Sequence, residues 1–344
     1  MVTFDEIFDT VGLEKCLLTT YVLDEEWLFP KLKEVPNVIL CYDDGKRHAQ
    51  ALVSKRGKLT CVMPSFPKFP SYGVMHCKLM LLFYADFLRV MVFIQDLPRA
   101  EPQVGVFEFK DDLCRLLRSL GITETLISNE ELSVYDWSKV TARMVYSVPG
   151  MINVSHASGL VMLSERVPTA EKLDWIESQG SSLGAMPETW LDDVMACCAG
   201  RRPGNSRKRP SEDAALNIKV VFPTTAYALN SNLGPGAFGT IFCQSKNWNS
   251  PNYPRALFHK CLSTSADYRP LHTKILSTPN WTYIGSSNFT PSAWGKFVKE
   301  KSALMIANYE LGVIVEGADF PFPYRRPVSP YEKDDVPWMQ ELLR

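Results

Sequence analysis

The sequence predicts an α/β protein of two domains, and three observations predict it. The chain has 344 residues, more than one ordinary hydrophobic core encloses. Short apolar runs rich in β-branched and aromatic residues alternate with stretches of helical spacing in both halves. Pro149 and Gly150 then break the pattern, which sets domains at 1–150 and 151–344.

Taken in order, Thr3 to Glu6 reads as a capping box that opens a short helix. Asn37 to Cys41 and Leu59 to Met63 read as buried strands, each ending in a polar loop. Met75 to Phe83 and Leu88 to Ile94 read as the two arms of a hairpin turned at Ala85 and Asp86. Leu113, Leu116, Leu117 and Leu120 recur at helical spacing, with Gly121 as the C-cap. Ala142 to Val148 is a strand closing the first half. The second half opens with a helical stretch. Trp175 to Gly180 follows as a strand, and Pro187 starts a helix through Met195. Arg201 to Pro210 is basic, carries prolines and has no apolar period, so a loop of about 200–215 interrupts this domain. It reads equally as a nuclear localisation segment and as a solvated loop. Strands resume at Asn217 to Phe222, Lys274 to Ser277, Trp281 to Ile284 and Tyr309 to Val315.

Composition narrows the function classes. The 37 basic and 38 acidic residues leave a net charge of −1, so a nucleic-acid surface has to come from local clustering. Nine cysteines without a C-x-x-C pair, and five scattered histidines, argue against a structural zinc site and for free thiols in a reducing compartment. The longest greasy run, Leu79 to Ile94, contains Asp86 and Arg89 and is too short to span a bilayer. A soluble intracellular protein is expected.

The chemistry lies in a repeated motif. His76 with Lys78, and His272 with Lys274, form one His-x-Lys in each half, each at the edge of a predicted strand. Residues two apart in a strand face the same side, so each imidazole projects together with its ammonium group. One such pair is commonplace; a pair in each half is specific. The second is followed by Gly285 to Asn288, a tight polar turn that can aim Asn288 at the same site.

This arrangement resembles the phospholipase D superfamily, in which two half-sites meet across a pseudo-twofold axis. That superfamily usually carries an Asp five residues after the Lys, where this chain has Phe83 and Pro279. His, Lys and Asn without that Asp is similar to the tyrosyl-DNA phosphodiesterases. Further segments agree: Tyr21 ahead of Asp24 to Trp27, Ser178 to Gly184, Asn288 to Gly295, and Tyr309 to Gly312. The resemblance runs from about Leu17 to Trp338. It implies two similar α-β-α sandwich domains with mixed sheets and the active site at their interface.

It also implies a DNA-repair hydrolase that cleaves 3′-phosphotyrosyl and related 3′-blocked ends through a covalent phosphohistidine, in the nucleus, with no metal or other cofactor. The implied partners are single-stranded or nicked DNA 3′ ends and a topoisomerase-derived tyrosyl peptide, with no membrane, for a monomeric protein. In that scheme His76 attacks phosphorus, and His272, protonated at that moment, gives a proton to the tyrosine oxygen. Lys78 and Lys274 supply positive charge, and Asn288 donates to a phosphoryl oxygen. Glu310 takes the family position that orients the nucleophilic ring; its bland alternative is a carboxylate bonded to a nearby amide. Tyr72 stands where the family stacks a DNA base, and otherwise packs on the core. Ser181, Ser182 and Thr290 are candidates for phosphate contacts, and Tyr21 for the peptide side.

The sequence departs from the pattern in its first half. The family Asn is expected 18 residues beyond Lys78, and that position holds Asp96. Phe93 to Arg99 resembles the strand that follows the Asn turn, joined here directly to Leu88 to Val92, so a segment bearing the Asn is missing. Two rival readings follow: a family member that binds DNA ends without processing them, and a lipid phosphodiesterase of the wider superfamily.

Overall fold

A computed structural model describes residues 4–92, 94–99, 108–204, 217–317 and 320–343. Thr3 of the expected capping box, Phe93, and residues 205–216 of the basic segment lie outside the described residues. The chain divides into two compact units, Met1–Gly150 with Ala307–Val313, and Met151–Ile306 with Ile314–Arg344. The short return of the chain into the first unit, at Ala307–Val313, has no counterpart in the sequence reading.

Among the described residues, the first unit is built on a seven-stranded mixed sheet. Its central strand, Leu13–Thr20, is buried along most of its length, as a strand covered on both faces must be. It runs parallel to Asn37–Tyr42, pairing Leu18 with Leu40, and antiparallel to Met80–Tyr84, pairing Leu18 with Met80. Leu59–Met63 and Leu52–Arg56 continue one side. The outermost of these, Leu52–Arg56, is exposed throughout, and Lys55 and Arg56 blunt that open edge. The helix Glu25–Lys31 is capped by Asp24, whose Oδ1 accepts from Trp27 N at 3.0 Å. It buries Leu28 in the cluster formed by Cys16, Leu18, Val38 and Leu40. The helix Glu108–Ser119 buries Leu113, Leu116 and Leu117, and Gly121 beyond it has φ +85°, the left-handed turn that ends a helix.

Two expectations are corrected here. Met75 to Phe83 is not one strand: regular pairing begins at Met80, because the preceding backbone bonds elsewhere, as described below. Leu88 to Ile94 is not one strand either. The chain reverses near Val92, so Phe87–Met91 pairs antiparallel with Ile94–Pro98 and Arg89 lies opposite Asp96. The reversal gives Phe87–Met91 a hydrogen-bonded neighbour on both edges.

In the second unit, five strands run in the order Phe258–Lys260, Ile218–Phe222, Ile176–Gln179, Ile275–Ser277 and Trp281–Gly285. The first three are mutually parallel, and the last two are antiparallel additions. The helix Glu188–Cys198 runs three residues beyond the expected Met195. Its extra turn is stabilised by burying Cys197 and Cys198 completely. All nine cysteines are free thiols, and no described helix is long and apolar enough to cross a membrane.

Candidate active site

In the first unit, the backbone from Val74 to Leu79 is extended but belongs to no sheet ladder. It is tied on one side to the strand Leu13–Thr20. Thr19 N donates to Leu79 O at 2.9 Å, Thr19 Oγ1 accepts from Leu79 N at 2.8 Å, and that hydroxyl donates to Cys77 O at 3.0 Å. On the other side, His76 N donates to Tyr309 O and Tyr309 N to Val74 O, each at 2.9 Å. Met75, Cys77 and Leu79 are buried by this clamp, so His76 and Lys78 share the opposite face. Gly73 permits the entry: its φ is +131°, and a Cβ there would lie 1.9 Å from Ala307 O.

His76 Nδ1 lies 2.9 Å from Glu310 Oε2, and the Glu310 side chain has no exposed surface. A buried carboxylate accepts, so Nδ1 carries the proton and Nε2 is left with its lone pair. The second carboxylate oxygen, Oε1, accepts from Asn308 Nδ2 at 2.9 Å. Glu310 therefore bonds the ring, and the sequence alternative of a carboxylate serving only a backbone amide does not hold. Lys78 Nζ donates to His76 O at 2.7 Å. Burial of the ammonium lowers its pKa to about 8, opposed by the Glu310 carboxylate. The residue as a whole is nonetheless exposed. The Tyr21 ring meets the His76 ring edge-on at 6.0 Å. Tyr72 is 55% exposed, so it does not pack on the core.

In the second unit the motif is built differently. His272 is exposed, whereas Lys274 is only 3% exposed. Lys274 Nζ lies 3.0 Å from His272 Nδ1 and also donates to His272 O. An ammonium group needs a lone pair at Nδ1, which puts the imidazole proton on Nε2. The preceding turn is pinned by Gln179, whose Nε2 donates to Leu271 O at 3.2 Å and whose Oε1 accepts from the Thr273 hydroxyl.

Asn288 is oriented from the strand end at Gln179. Its Oδ1 accepts from Ser181 N and Ser182 N, both at 2.9 Å, and from Ser181 Oγ at 3.3 Å. Three donors on one oxygen settle which end of the amide is which, and leave Nδ2 as the donating end. Gly180 makes room, since a Cβ there would stand 3.1 Å from Asn288 Oδ1. The amides of Ser181 and Ser182 are thereby committed to holding Asn288. Thr290 caps the short helix Pro291–Trp294, its Oγ1 accepting from Ala293 N at 3.3 Å. Sequence reading missed Asn308 and Gln179; both are common residue types whose partners only the fold brings near.

A sequence profile of the tyrosyl-DNA phosphodiesterases matches residues 1–105 and 94–337. The chain belongs to the tyrosyl-DNA phosphodiesterase family. Its two matched stretches overlap at 94–105. Tyrosyl-DNA phosphodiesterase 1 of Arabidopsis thaliana is 24% identical, covering 94% of this chain and 68% of that protein. The Drosophila melanogaster protein of the same name is 23% identical and covers 100% of this chain and 71% of its own length. That second alignment spans 424 positions against 344 residues here, so this chain lacks segments present in its relative. The crystal structure of the yeast tyrosyl-DNA phosphodiesterase superposes with a TM-score of 0.74 at 18% identity, covering 98% of this chain and 96% of the other. The shared fold of this family thus extends over nearly the whole chain.

Proposed function

We propose that this protein is a phosphodiesterase of DNA repair that hydrolyses the bond between a DNA 3′ phosphate and a tyrosine. Family membership supplies the reaction, and the hydrogen bond from His76 Nδ1 to Glu310 carries the assignment of the nucleophile. With Nδ1–H held by the carboxylate, the Nε2 lone pair of His76 attacks phosphorus, and a phosphohistidine forms as the tyrosine oxygen leaves. His272 presents Nε2–H, the proton that the departing oxygen requires. After donation the same nitrogen takes a proton from water, which then releases the phosphate from His76. In this step His272 acts as the imidazolium, because a neutral ring that gave up its Nε2 proton would be left as an imidazolate. Lys78 and Lys274 offset charge developing on the phosphoryl oxygens, and Asn288 Nδ2 donates to one of them.

The substrates we assign are single-stranded or nicked 3′ ends carrying a topoisomerase-derived peptide, with Tyr72 exposed for base stacking and Tyr21 beside the nucleophile on the peptide side. We place the protein, as a monomer, in the nucleus on the strength of the basic Arg201 to Pro210 segment; a fluorescent fusion lacking that segment that still concentrates in nuclei removes this support. The test of function is covalent trapping on an oligonucleotide bearing a labelled 3′-phosphotyrosine. Wild type forms an acid-labile, base-stable adduct and then product, and His76→Ala forms neither. A second reading, a protein that binds 3′ ends without processing them, is favoured by Asp96 at the place of the family Asn. Tight binding with no adduct and no product at excess protein selects it.

A further inference from the structure

The carboxylate that holds His76 is itself held. Asn308 stands two residues before Glu310, and its amide reaches in two directions. Nδ2 donates to Glu310 Oε1 at 2.9 Å, while Oδ1 accepts from Val74 N at 3.2 Å. One side chain therefore joins the segment carrying the nucleophile to the strand Glu310–Glu316 carrying its acceptor. With Oε1 occupied by the amide, Oε2 is the oxygen left facing His76 Nδ1. A donor on one carboxylate oxygen draws charge away from the other, so the amide also weakens the pull of Glu310 on the imidazole proton.

We propose that Asn308 is a positioning residue that fixes the rotamer of Glu310 and, through it, holds down the proton affinity of His76. The inference rests on the reading of His76 as the nucleophile, which must be neutral to attack. Within the first unit, the other titratable groups around the pair are Lys78 and Cys77 on the same segment, Tyr21 after the central strand, and Cys41 and Asp43 on and after the strand Asn37–Tyr42. Asn308 Nδ2 donates to Glu310 Oε1, which makes Asn308 a lever that can be changed without touching the nucleophile or its acceptor.

Two substitutions in the full-length protein separate the effects. Asn308→Asp keeps an acceptor for Val74 N but replaces the donor with a second carboxylate. Asn308→Leu removes both. The readouts are the acid limb of kcat/KM on the 3′-phosphotyrosyl oligonucleotide, and the NMR titration midpoint of the His76 ring, assigned by its loss in His76→Gln. For Asn308→Asp both midpoints should rise by about one pH unit, because a second anion stabilises the imidazolium. One unit below the wild-type limb that is about a tenfold loss of rate, recovered at higher pH. Asn308→Leu should move both in the same direction by less. The inference is overturned if Asn308→Asp matches wild type at every pH, or if either variant lowers the rate equally at all pH with an unmoved ring midpoint, since both patterns mean support of the backbone alone. If wild type neither cleaves nor forms an adduct, the functional reading has failed, and the ring midpoint still decides the role of Asn308.

Discussion

The two His-x-Lys motifs are alike in sequence and opposite in construction. His76 faces a fully buried carboxylate at 2.9 Å, and its lysine is exposed. His272 is exposed and has a buried lysine at 3.0 Å from the corresponding nitrogen. A carboxylate at Nδ1 leaves a lone pair on Nε2; an ammonium group at Nδ1 leaves a hydrogen there. The first ring thus presents an acceptor at Nε2 and the second a donor, the asymmetry on which the proposed roles of attack and protonation rest. The symmetric motif does not distinguish the two rings, whereas the group behind each ring does, and the proposed two-step hydrolysis uses that difference.

Exchanging the carboxylate behind His76 is the strongest way to break this contrast. Glu310→Gln should cut single-turnover cleavage about 10²–10⁴-fold, since an amide can also stabilise the wrong tautomer; a loss below threefold would show that the ring needs no acceptor. For the second ring, His272→Ala should slow release of the phosphohistidine by about 10²–10⁴-fold and its formation much less, because phenolate leaves without much help. Trapped adduct should therefore accumulate on a gel, and equal loss in both steps would argue against donation by His272. Asn288→Ala should lower kcat about 10²–10³-fold with little change in binding, as expected when one donor to a phosphoryl oxygen is lost.

The lysines sharpen the contrast through pH. Because the Lys78 pKa is lowered to about 8, its charge is lost as pH rises through that value, and cleavage should decline above it. Folding responds with the opposite sign. Between about 8 and the ordinary 10.5 the unfolded chain binds more protons at this residue, so its contribution to stability rises with pH across that window. Lys78→Arg should abolish the alkaline limb, since a guanidinium group keeps its charge, though at a lower absolute rate. A limb that survives in Lys78→Arg belongs to another group. The smallest expected effect is that of a chelator: with two ammonium groups placed to offset phosphoryl charge, EDTA should leave the rate unchanged, and sensitivity to it would contradict the mechanism.

Much of this architecture is legible in sequence because it rests on short-range period. Apolar runs such as Leu59 to Met63, and the helical spacing of Leu113, Leu116 and Leu117, need only their neighbours to be recognised. The alternation that puts His76 and Lys78 on one face is equally local, and it survives even though that stretch lies outside any strand. Strand limits fared worse at Met75 to Phe83 and Leu88 to Ile94, where hydrogen bonds to Tyr309 and Thr19, and a reversal near Val92, override the apolar run.

The residue types of the site, their pairing in twos and the identity of the family are determined by the sequence alone, since each depends on spacing along the chain. The orientation of those residues was decided by tertiary structure. Glu310 reaches His76 from 234 residues away, and Asn288 is turned by amides 106 and 107 residues distant. A hydrogen bond acts over about 3 Å of space whatever the length of chain between its partners, so no local pattern in the sequence encodes it.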